Sequence, residues 1–369
     1  VTKSVMLIVT HGCNLRCSYC YEANKDSHSG NVMSLATAKS ILNQTIESME
    51  EGCENLIIQF MGGEPLLCFD LIKEVCEWLW SLDLKVKLQL SAPTNGTLLT
   101  DSMKPWLLRN GHRFWLLLSF DGDPLMQDAN RSCSARHIDL DFFVNAFTQN
   151  GVKMTLSPQT LPRFAAGVEF LFSKGFGAVE ANPAMGKDVG WRHEHLRTLA
   201  TELDKLVWFY YEHPQYKPMT YFDMPVWSIL DKDAPSQACG CGRAFKSYDI
   251  DGTDYPCQVF SPLSMDYELA EQARMLDFDH IEKDCQGVCA SCMLRKLCMN
   301  CPGINFRDYG DCNRRSGFNC AQFKLFFLAS CKLFKLKALR DNDFVLREAI
   351  DEVTRVITLN KKNKYGNSL

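Results

Sequence analysis

The sequence predicts an α/β fold built on a parallel sheet and followed by a small cysteine-rich region. Three observations carry that prediction. Apolar strand-like runs alternate with amphipathic helical stretches over roughly the first 210 residues, the pattern of strands joined by helical crossovers. About six such units can be counted, fewer than a closed eightfold barrel requires. The last third is instead punctuated by closely spaced cysteines, which in a reducing compartment point to metal ligation rather than disulfides.

The elements follow in order. Val5 to Thr10 is an apolar run that reads as the first strand and leads into His11-Gly12-Cys13. Ser34 is an N-cap for a helix through about Glu51, with Leu35, Ala38, Ile41, Leu42 and Ile46 near helical spacing. A second strand, Leu56 to Met61, runs into Gly62-Gly63-Glu64-Pro65. Further strands are expected at Leu84–Leu90, Phe114–Ser119, Val152–Leu156 and Gly177–Ala181, with helices near Phe69–Leu82, Asp101–Asn110, Asp139–Gln149 and Leu161–Lys174. In such sheets function gathers at the C-terminal ends of the strands, so the residues just after each run are the candidates.

Composition excludes more than it assigns. The 369 residues, 46% of them hydrophobic, suffice for a large core plus a smaller unit. A net charge of −4 leaves no nucleic-acid footprint. No run of 18 apolar residues occurs, and the N-terminus enters a strand without a signal-peptide pattern, so a cytoplasmic protein with no membrane partner is expected.

The first strand is followed by Cys13-Asn14-Leu15-Arg16-Cys17-Ser18-Tyr19-Cys20. Three thiolates on one tight loop, with no fourth protein ligand nearby, suit a [4Fe–4S] cluster that leaves one iron open. This CxxxCxxC loop resembles the signature of radical S-adenosylmethionine (SAM) enzymes. The resemblance implies a partial (β/α)6 TIM-like barrel over residues 1–215, with SAM chelated by the open iron through its amino and carboxylate groups. Gly62-Gly63-Glu64-Pro65 matches the family's GGEP motif, which receives the SAM amino group. Ser119-Phe120-Asp121-Gly122 resembles its Ser-x-Asp-Gly turn, whose serine lies near the SAM ribose and methionine moieties, and Thr94-Asn95-Gly96 ends the strand between them. Tyr19 corresponds to a side chain that contacts the adenine, and Arg131 to a SAM-facing arginine. Taken singly, each has a plainer explanation: Gly-Gly and Asp-Gly pairs make ordinary turns, an arginine is commonly solvated, and an aromatic packs against a wall. His11 and His28 flank the loop without a spacing that recommends them as ligands.

The last third carries Cys239 and Cys241, then Gly252 to Cys257, then Cys289, Cys292, Cys298 and Cys301, with Cys312 and Cys320 beyond. That order resembles the SPASM domain of peptide- and protein-modifying radical SAM enzymes, which binds two auxiliary [4Fe–4S] clusters. It departs by one residue, since two residues rather than three separate Cys298 from Cys301. The resemblance implies one auxiliary set of Cys239, Cys241, Cys257 and Cys301 and another of Cys289, Cys292, Cys298 and Cys320, for three clusters in all. Of the 18 cysteines seven remain. Cys53, Cys68, Cys76 and Cys133 read as core or incidental thiols, while Cys285, Cys312 and Cys331 stay candidates for ligation, with Cys312 the foremost replacement ligand. Paired CxxC units also build zinc sites, and that alternative stays open for the C-terminal set taken alone. Residues 216–238 are expected as a linker, 239–331 as the SPASM domain and 332–369 as a helical tail.

The family's mechanism implies electron entry from an external donor such as a flavodoxin or ferredoxin, cleavage of SAM to a 5′-deoxyadenosyl radical, and hydrogen abstraction from an unactivated carbon. The implied substrate is a peptide: either a ribosomally made precursor that gains an oxidative modification or cross-link, or a sulfatase whose cysteine or serine becomes formylglycine. In the sulfatase-maturating enzymes the cysteine after Tyr-Pro is followed by an aspartate base; here that position is Gln258, which takes no proton at neutral pH. Asp249, Asp251 and Asp254 are nearby carboxylates that could stand in for it. No winged-helix module precedes the first strand, so leader recognition is expected to fall to a separate partner protein or an unusual surface, or to be absent. A basic C-terminal stretch, Lys332, Lys335, Lys337 and Arg340, then Lys361, Lys362 and Lys364, is one such surface. A non-catalytic zinc or electron-transfer protein is the third reading.

Overall fold

The computed structural model describes residues 2–22, 31–147, 151–231, 233, 239–279 and 289–365, with side chains to 357. Its centre is a run of parallel strands: β1 (Thr2–Thr10), β2 (Asn55–Gly62), β3 (Lys87–Thr94), β4 (Phe114–Leu118), β5 (Val152–Leu156) and β6 (Val179–Pro183). Crossovers include α1 (Leu35–Glu47), α2 (Phe69–Ser81), α3 (Lys104–Asn110), α4 (Pro124–Asn130), α5 (Leu140–Ala146) and α6 (Phe164–Ser173). Each strand pairs in parallel with the next, Leu7 opposite Phe60 and Leu90 opposite Phe114. Between β4 and β5 the ladder shrinks to one bridge, Ser119 to Lys153, with Phe120 N–H donating to the Lys153 carbonyl at 2.8 Å. The mixed α/β architecture with a parallel sheet is therefore as the alternation predicts.

The edge of β1 that would close a barrel is taken by the cysteine-rich region itself. There β7 (Phe245–Tyr248) pairs in parallel with β1, Ser4 opposite Phe245, and β8 (Asp254–Tyr255) adds an antiparallel partner. Beyond it lie α7 (His195–Glu212) before the hairpin and α8 (Tyr267–Arg274), α9 (Pro302–Tyr309), α10 (Gly317–Arg340) and α11 (Phe344–Tyr365) after it. None of the described helices is long and apolar enough to cross a membrane.

Several expected boundaries move. The third strand continues to Thr94 although Pro93, which has no N–H to donate, argues against strand there; its register is set by Asn55 opposite Lys87. The sixth strand likewise starts at Val179, opposite Val152. Ser34 does cap α1, its hydroxyl accepting from Thr37 N–H at 2.9 Å, but the helix stops at Glu47. Residues 148–149 of the helix expected at Asp139–Gln149 lie outside the described residues.

The expected linker is core. Met219, Tyr221, Phe222, Met224 and Val226 are all buried, Tyr221 and Phe222 pack on Phe326 of α10, and Ser330 Oγ donates to the Tyr221 carbonyl at 2.8 Å. Apolar area withdrawn from water on this scale joins segments more firmly than a linker would. The boundary expected at 331/332 falls inside the continuous helix α10. Of the expected linker, 232 and 234–238 lie outside the described residues.

Candidate functional site

The loop after β1 is fastened on three sides. Gly63 N–H donates to the Thr10 carbonyl at 3.1 Å and Glu64 N–H to the Gly12 carbonyl at 2.8 Å, tying it to the end of β2. Asn95, after β3, donates through Nδ2 to Asn14 Oδ1 at 2.9 Å, and Asn14 donates to Thr97 Oγ1 at 2.7 Å. After β4, Ser18 N–H donates to the Asn130 carbonyl and Arg16 N–H to Ser132 Oγ, both at 2.8 Å. Cys13 is buried within this frame, and Cys17 and Cys20 are half-buried.

The paired glycines serve the frame directly. A Cβ on Gly63 would stand 2.2 Å from the Gly12 carbonyl oxygen, and one on Gly62 would stand 2.4 Å from that of Thr10. Their role in this structure is close approach to the cysteine loop. Glu64 also departs from expectation. Buried at 1% exposure, its carboxylate accepts from Leu66 N–H, Thr94 Oγ1 and Asn95 N–H at 3.0, 2.8 and 2.7 Å. Burial raises its pKa, and these three donors pull it back. Glu64 therefore clamps the turn after β2 to the end of β3.

Asp121, from the Ser-x-Asp-Gly turn, is the hub of a second network. Wholly buried, it accepts from Tyr19 Oη at 2.5 Å, Asn130 Nδ2 at 3.0 Å and Thr155 N–H at 2.8 Å, and it pairs with Arg131 Nε at 3.1 Å. The Arg131 guanidinium lies 5.5 Å from the centre of the Tyr19 ring. Burial opposes the charge on Arg131, but Asp121, Tyr19 and Cys17 together outweigh it and hold the pKa above its usual value. Tyr19 is pushed the other way from ionisation, chiefly by burial. The sequence reading missed Asn130 and the tie between Asp121 and Arg131, which connects the cysteine loop to β4, α4 and β5.

These two networks flank one cavity of about 540 Å³. Cys13, Cys17, Cys20, Tyr19, Gly62, Gly63, Glu64, Pro65, Ser119 and Arg131 line it, so the structure brings together every barrel-side candidate. The far wall comes from the cysteine-rich region and includes Gln258, Val259, Cys301 and Ile304. Gln258 Oε1 is buried there without a hydrogen-bond partner. Asp249, Asp251 and Asp254 are not among the lining residues described. Asp249 instead meets His11 Nε2 at 2.5 Å, Asp251 accepts from Thr253 N–H, and Asp254 pairs with Lys246 and Arg274.

The C-terminal cysteines fall into two neighbourhoods. Cys241 is held high by hydrogen bonding with Cys239 and Cys257; Cys301 is pushed up to about 12 by burial, reinforced by Cys257 and Cys239. Cys298 is pushed up to about 11 by burial, with Cys292, Cys320 and Cys289 adding to it and Arg315 opposing. Arg315 Nη1 donates to Cys298 Sγ at 2.7 Å. Thiols gathered in this way are donors for iron–sulfur and zinc centres alike. Cys312, also pushed up to about 12 by burial, stands beside Cys257 too. Cys285 and His28 lie outside the described residues, and no two described cysteines form a disulfide. Among the described residues no three Cys, His, Asp or Glu side chains stand close enough to grip one metal ion.

The basic stretch is largely occupied within the chain. Lys332 pairs with Asp204, Lys335 with Asp351 at 2.5 Å and Arg340 with Asp341. The side chains of Lys361, Lys362 and Lys364 lie outside the described residues.

Residues 7–128 match the Radical SAM superfamily. A cysteine-type anaerobic sulfatase-maturating enzyme of Clostridium novyi (strain NT) is 25% identical over 284 residues, 70% of this chain and 74% of the relative. The uncharacterized protein MJ0907 of Methanocaldococcus jannaschii is 35% identical over 102 residues, so that the chain spans only about a third of it (33%). Among solved structures, native anSMEcpe with bound AdoMet superposes with a TM-score of 0.70 at 18% identity, covering 92% of this chain and 99% of that one. Streptococcus suis SuiB bound to S-adenosylmethionine gives 0.57 at 14% identity, over 85% and 76%.

Proposed function

The chain carries a radical SAM domain joined to a cysteine-rich C-terminal region, and we propose that it is a radical SAM peptide maturase. The observation that carries this reading is the shared cavity, walled on one side by the three-cysteine loop and its SAM-type motifs and on the other by Gln258 and Cys301. In this reading Cys13, Cys17 and Cys20 hold a [4Fe–4S] cluster with one open iron, and Tyr19, Gly62, Gly63, Glu64, Pro65, Ser119 and Arg131 form the SAM pocket. Cys239, Cys241, Cys257 and Cys301 hold one auxiliary cluster, and Cys289, Cys292, Cys298 and Cys320 the other. Once bound, cluster and SAM would supply a 5′-deoxyadenosyl radical able to take hydrogen from an unactivated carbon.

The chain's own residues do the rest. Glu64 and Asp121 keep the cysteine loop and Arg131 fixed, which orients whatever binds between them. Val259 and Ile304, apolar and buried, bound the cavity opposite that loop and help exclude water. Gln258 stands where a base would be and can accept a hydrogen bond but no proton, which favours an oxidative modification or cross-link of a ribosomally made peptide over formylglycine formation. Cys301 belongs both to the cavity wall and to the first auxiliary neighbourhood, a short route for an electron leaving the substrate. A soluble external donor and a cytoplasmic setting complete the reading.

The test is anaerobic reconstitution with iron, sulfide and zinc counted and deoxyadenosine assayed from SAM plus reductant. About twelve irons, with cleavage abolished when Cys13, Cys17 and Cys20 become alanine, is the expected result. Zinc in their place, or an iron-replete protein that makes no deoxyadenosine, refutes it. A sulfatase-motif peptide converted to formylglycine would instead establish the sister activity.

A further inference from the structure

Lys153 is a charged group that neither the cysteine loop nor the SAM-type motifs account for. It sits on β5 in register with Ser119 at the end of β4 and with Glu180 on β6, and it lines the cavity. The same cavity lining includes the uncharged polar side chains of Gln59, Thr155 and Asn182, and its other charged groups are Glu22, Glu64 and Arg131. Two of these are satisfied within the protein. Arg131 is neutralised by Asp121, and Glu64 is held by three donors. Among the described residues no hydrogen bond or ion pair reaches the Lys153 ammonium. Glu180 lies near enough to favour its charge, but Glu180 Oε2 already accepts from Thr220 N–H and Oγ1 at 3.0 and 2.8 Å.

The Lys153 side chain is exposed to the space inside the cavity, so a ligand that fills the cavity must displace the water around its charge. A cation stripped of water in that way needs an anionic partner, and the described residues supply none in direct contact. The surrounding protein lowers the pKa of Lys153 through desolvation, as expected of a site completed only by its ligand. The position on β5 separates it from the thiols of the β1 loop by the width of three intervening strands, and those thiols, as thiolates, would repel a second anion placed beside them. We propose that Lys153 anchors a carboxylate of the peptide substrate, so that the enzyme selects peptides with an acidic residue or a free C-terminus close to the modified position. This rests on the peptide-maturase reading above.

The experiment uses the reconstituted full chain with SAM, a chemical reductant and two matched libraries of short peptides. One carries Asp or Glu at a scanned position and the other Asn or Gln, each with a free and an amidated C-terminus. Modified peptides are read by mass spectrometry and deoxyadenosine by chromatography. The wild type is expected to modify the acidic or free-carboxylate peptides about tenfold more than the neutral ones, equivalent to about 1.4 kcal/mol. Lys153→Arg keeps that ratio, Lys153→Met brings it to about one, and Lys153→Glu inverts it toward lysine-containing peptides. Comparing free with amidated termini separates the two carboxylate sources. The assignment is overturned if the wild type shows no carboxylate preference, if K153M keeps it, or if K153M loses about tenfold in SAM affinity with the preference intact. Failure of the underlying reading looks different: no deoxyadenosine refutes radical SAM chemistry, and deoxyadenosine with no peptide modified refutes peptide maturation and Lys153's role together.

Discussion

Asp121→Asn should cost this protein far more stability than a change of one atom suggests. Asp121 is wholly buried and Arg131 is 8% exposed, so the variant strands a guanidinium that cannot lose its proton. An amide nitrogen at the Oδ2 position would also face three donors, from Tyr19, Asn130 and Arg131. Removing one partner of a buried pair costs about 3–5 kcal/mol, a large share of the roughly 5–15 kcal/mol that keeps a domain folded. The assay is denaturant unfolding of the reconstituted protein under anaerobic conditions. With a slope near 3 kcal/mol/M, the midpoint in urea falls by about 1 M or more. Iron content falls with it, because Tyr19 no longer secures the cysteine loop. The decisive comparison is the double variant Asp121→Asn/Arg131→Met, which removes the stranded charge and should recover at least half of the loss. A single variant that costs less than about 1 kcal/mol, or a double variant less stable than the single, would refute the argument that an uncompensated buried charge dominates.

Three further outcomes follow from the same geometry. Gly63→Ala places a methyl 2.2 Å from the Gly12 carbonyl, so reconstituted iron should drop by about the share of one cluster in three; full iron content would show that the loop has room. Arg315→Met removes the hydrogen bond to Cys298 Sγ and should lower the potential of the auxiliary centre proposed at Cys289, Cys292, Cys298 and Cys320 by about 59 mV for each tenfold bias lost. Potentiometry followed by EPR reads this, and an unmoved potential sinks the idea. Arg307→Ala, which loses the contact to the Tyr21 carbonyl at 3.2 Å and the ion pair to Asp308, should raise proteolytic nicking near residues 184–190, since Asp308 also holds Lys187 N–H at 2.8 Å; an unchanged digestion pattern would remove α9 as the brace of that loop.

What could be read from the residues was local. Strand-then-helix alternation and motifs at strand ends identified the sheet and the barrel side of the cavity, because each signal lies within a few residues of the element that bears it. The errors came from distance. The close partner of Gly63 is Gly12, across a crossover, and nothing local in the sequence signals that approach. His11 and Asp249, 238 positions apart, had no local signal at all. Residues 216–238 were expected as a linker, and the buried side chains of Met219, Tyr221, Phe222, Met224 and Val226 tie that segment to the core instead.

Lys153 shows a subtler failure. In Val152-Lys-Met-Thr-Leu156 the polar residues alternate with apolar ones, which in an ordinary half-buried strand marks the outer solvent face. Here that face turns into the cavity, and the apolar face packs beneath the helices. Period-two alternation therefore identifies the strand but does not by itself say which surface of the molecule its polar side faces. A curved parallel sheet has an interior that a flat one lacks, and a polar residue on that concave side is a candidate for recognition rather than for solubility. The same reasoning applies to Gln59 and Asn182, which share the wall with Lys153. These side chains, more than the SAM-type motifs, are where this chain's choice of substrate should be sought.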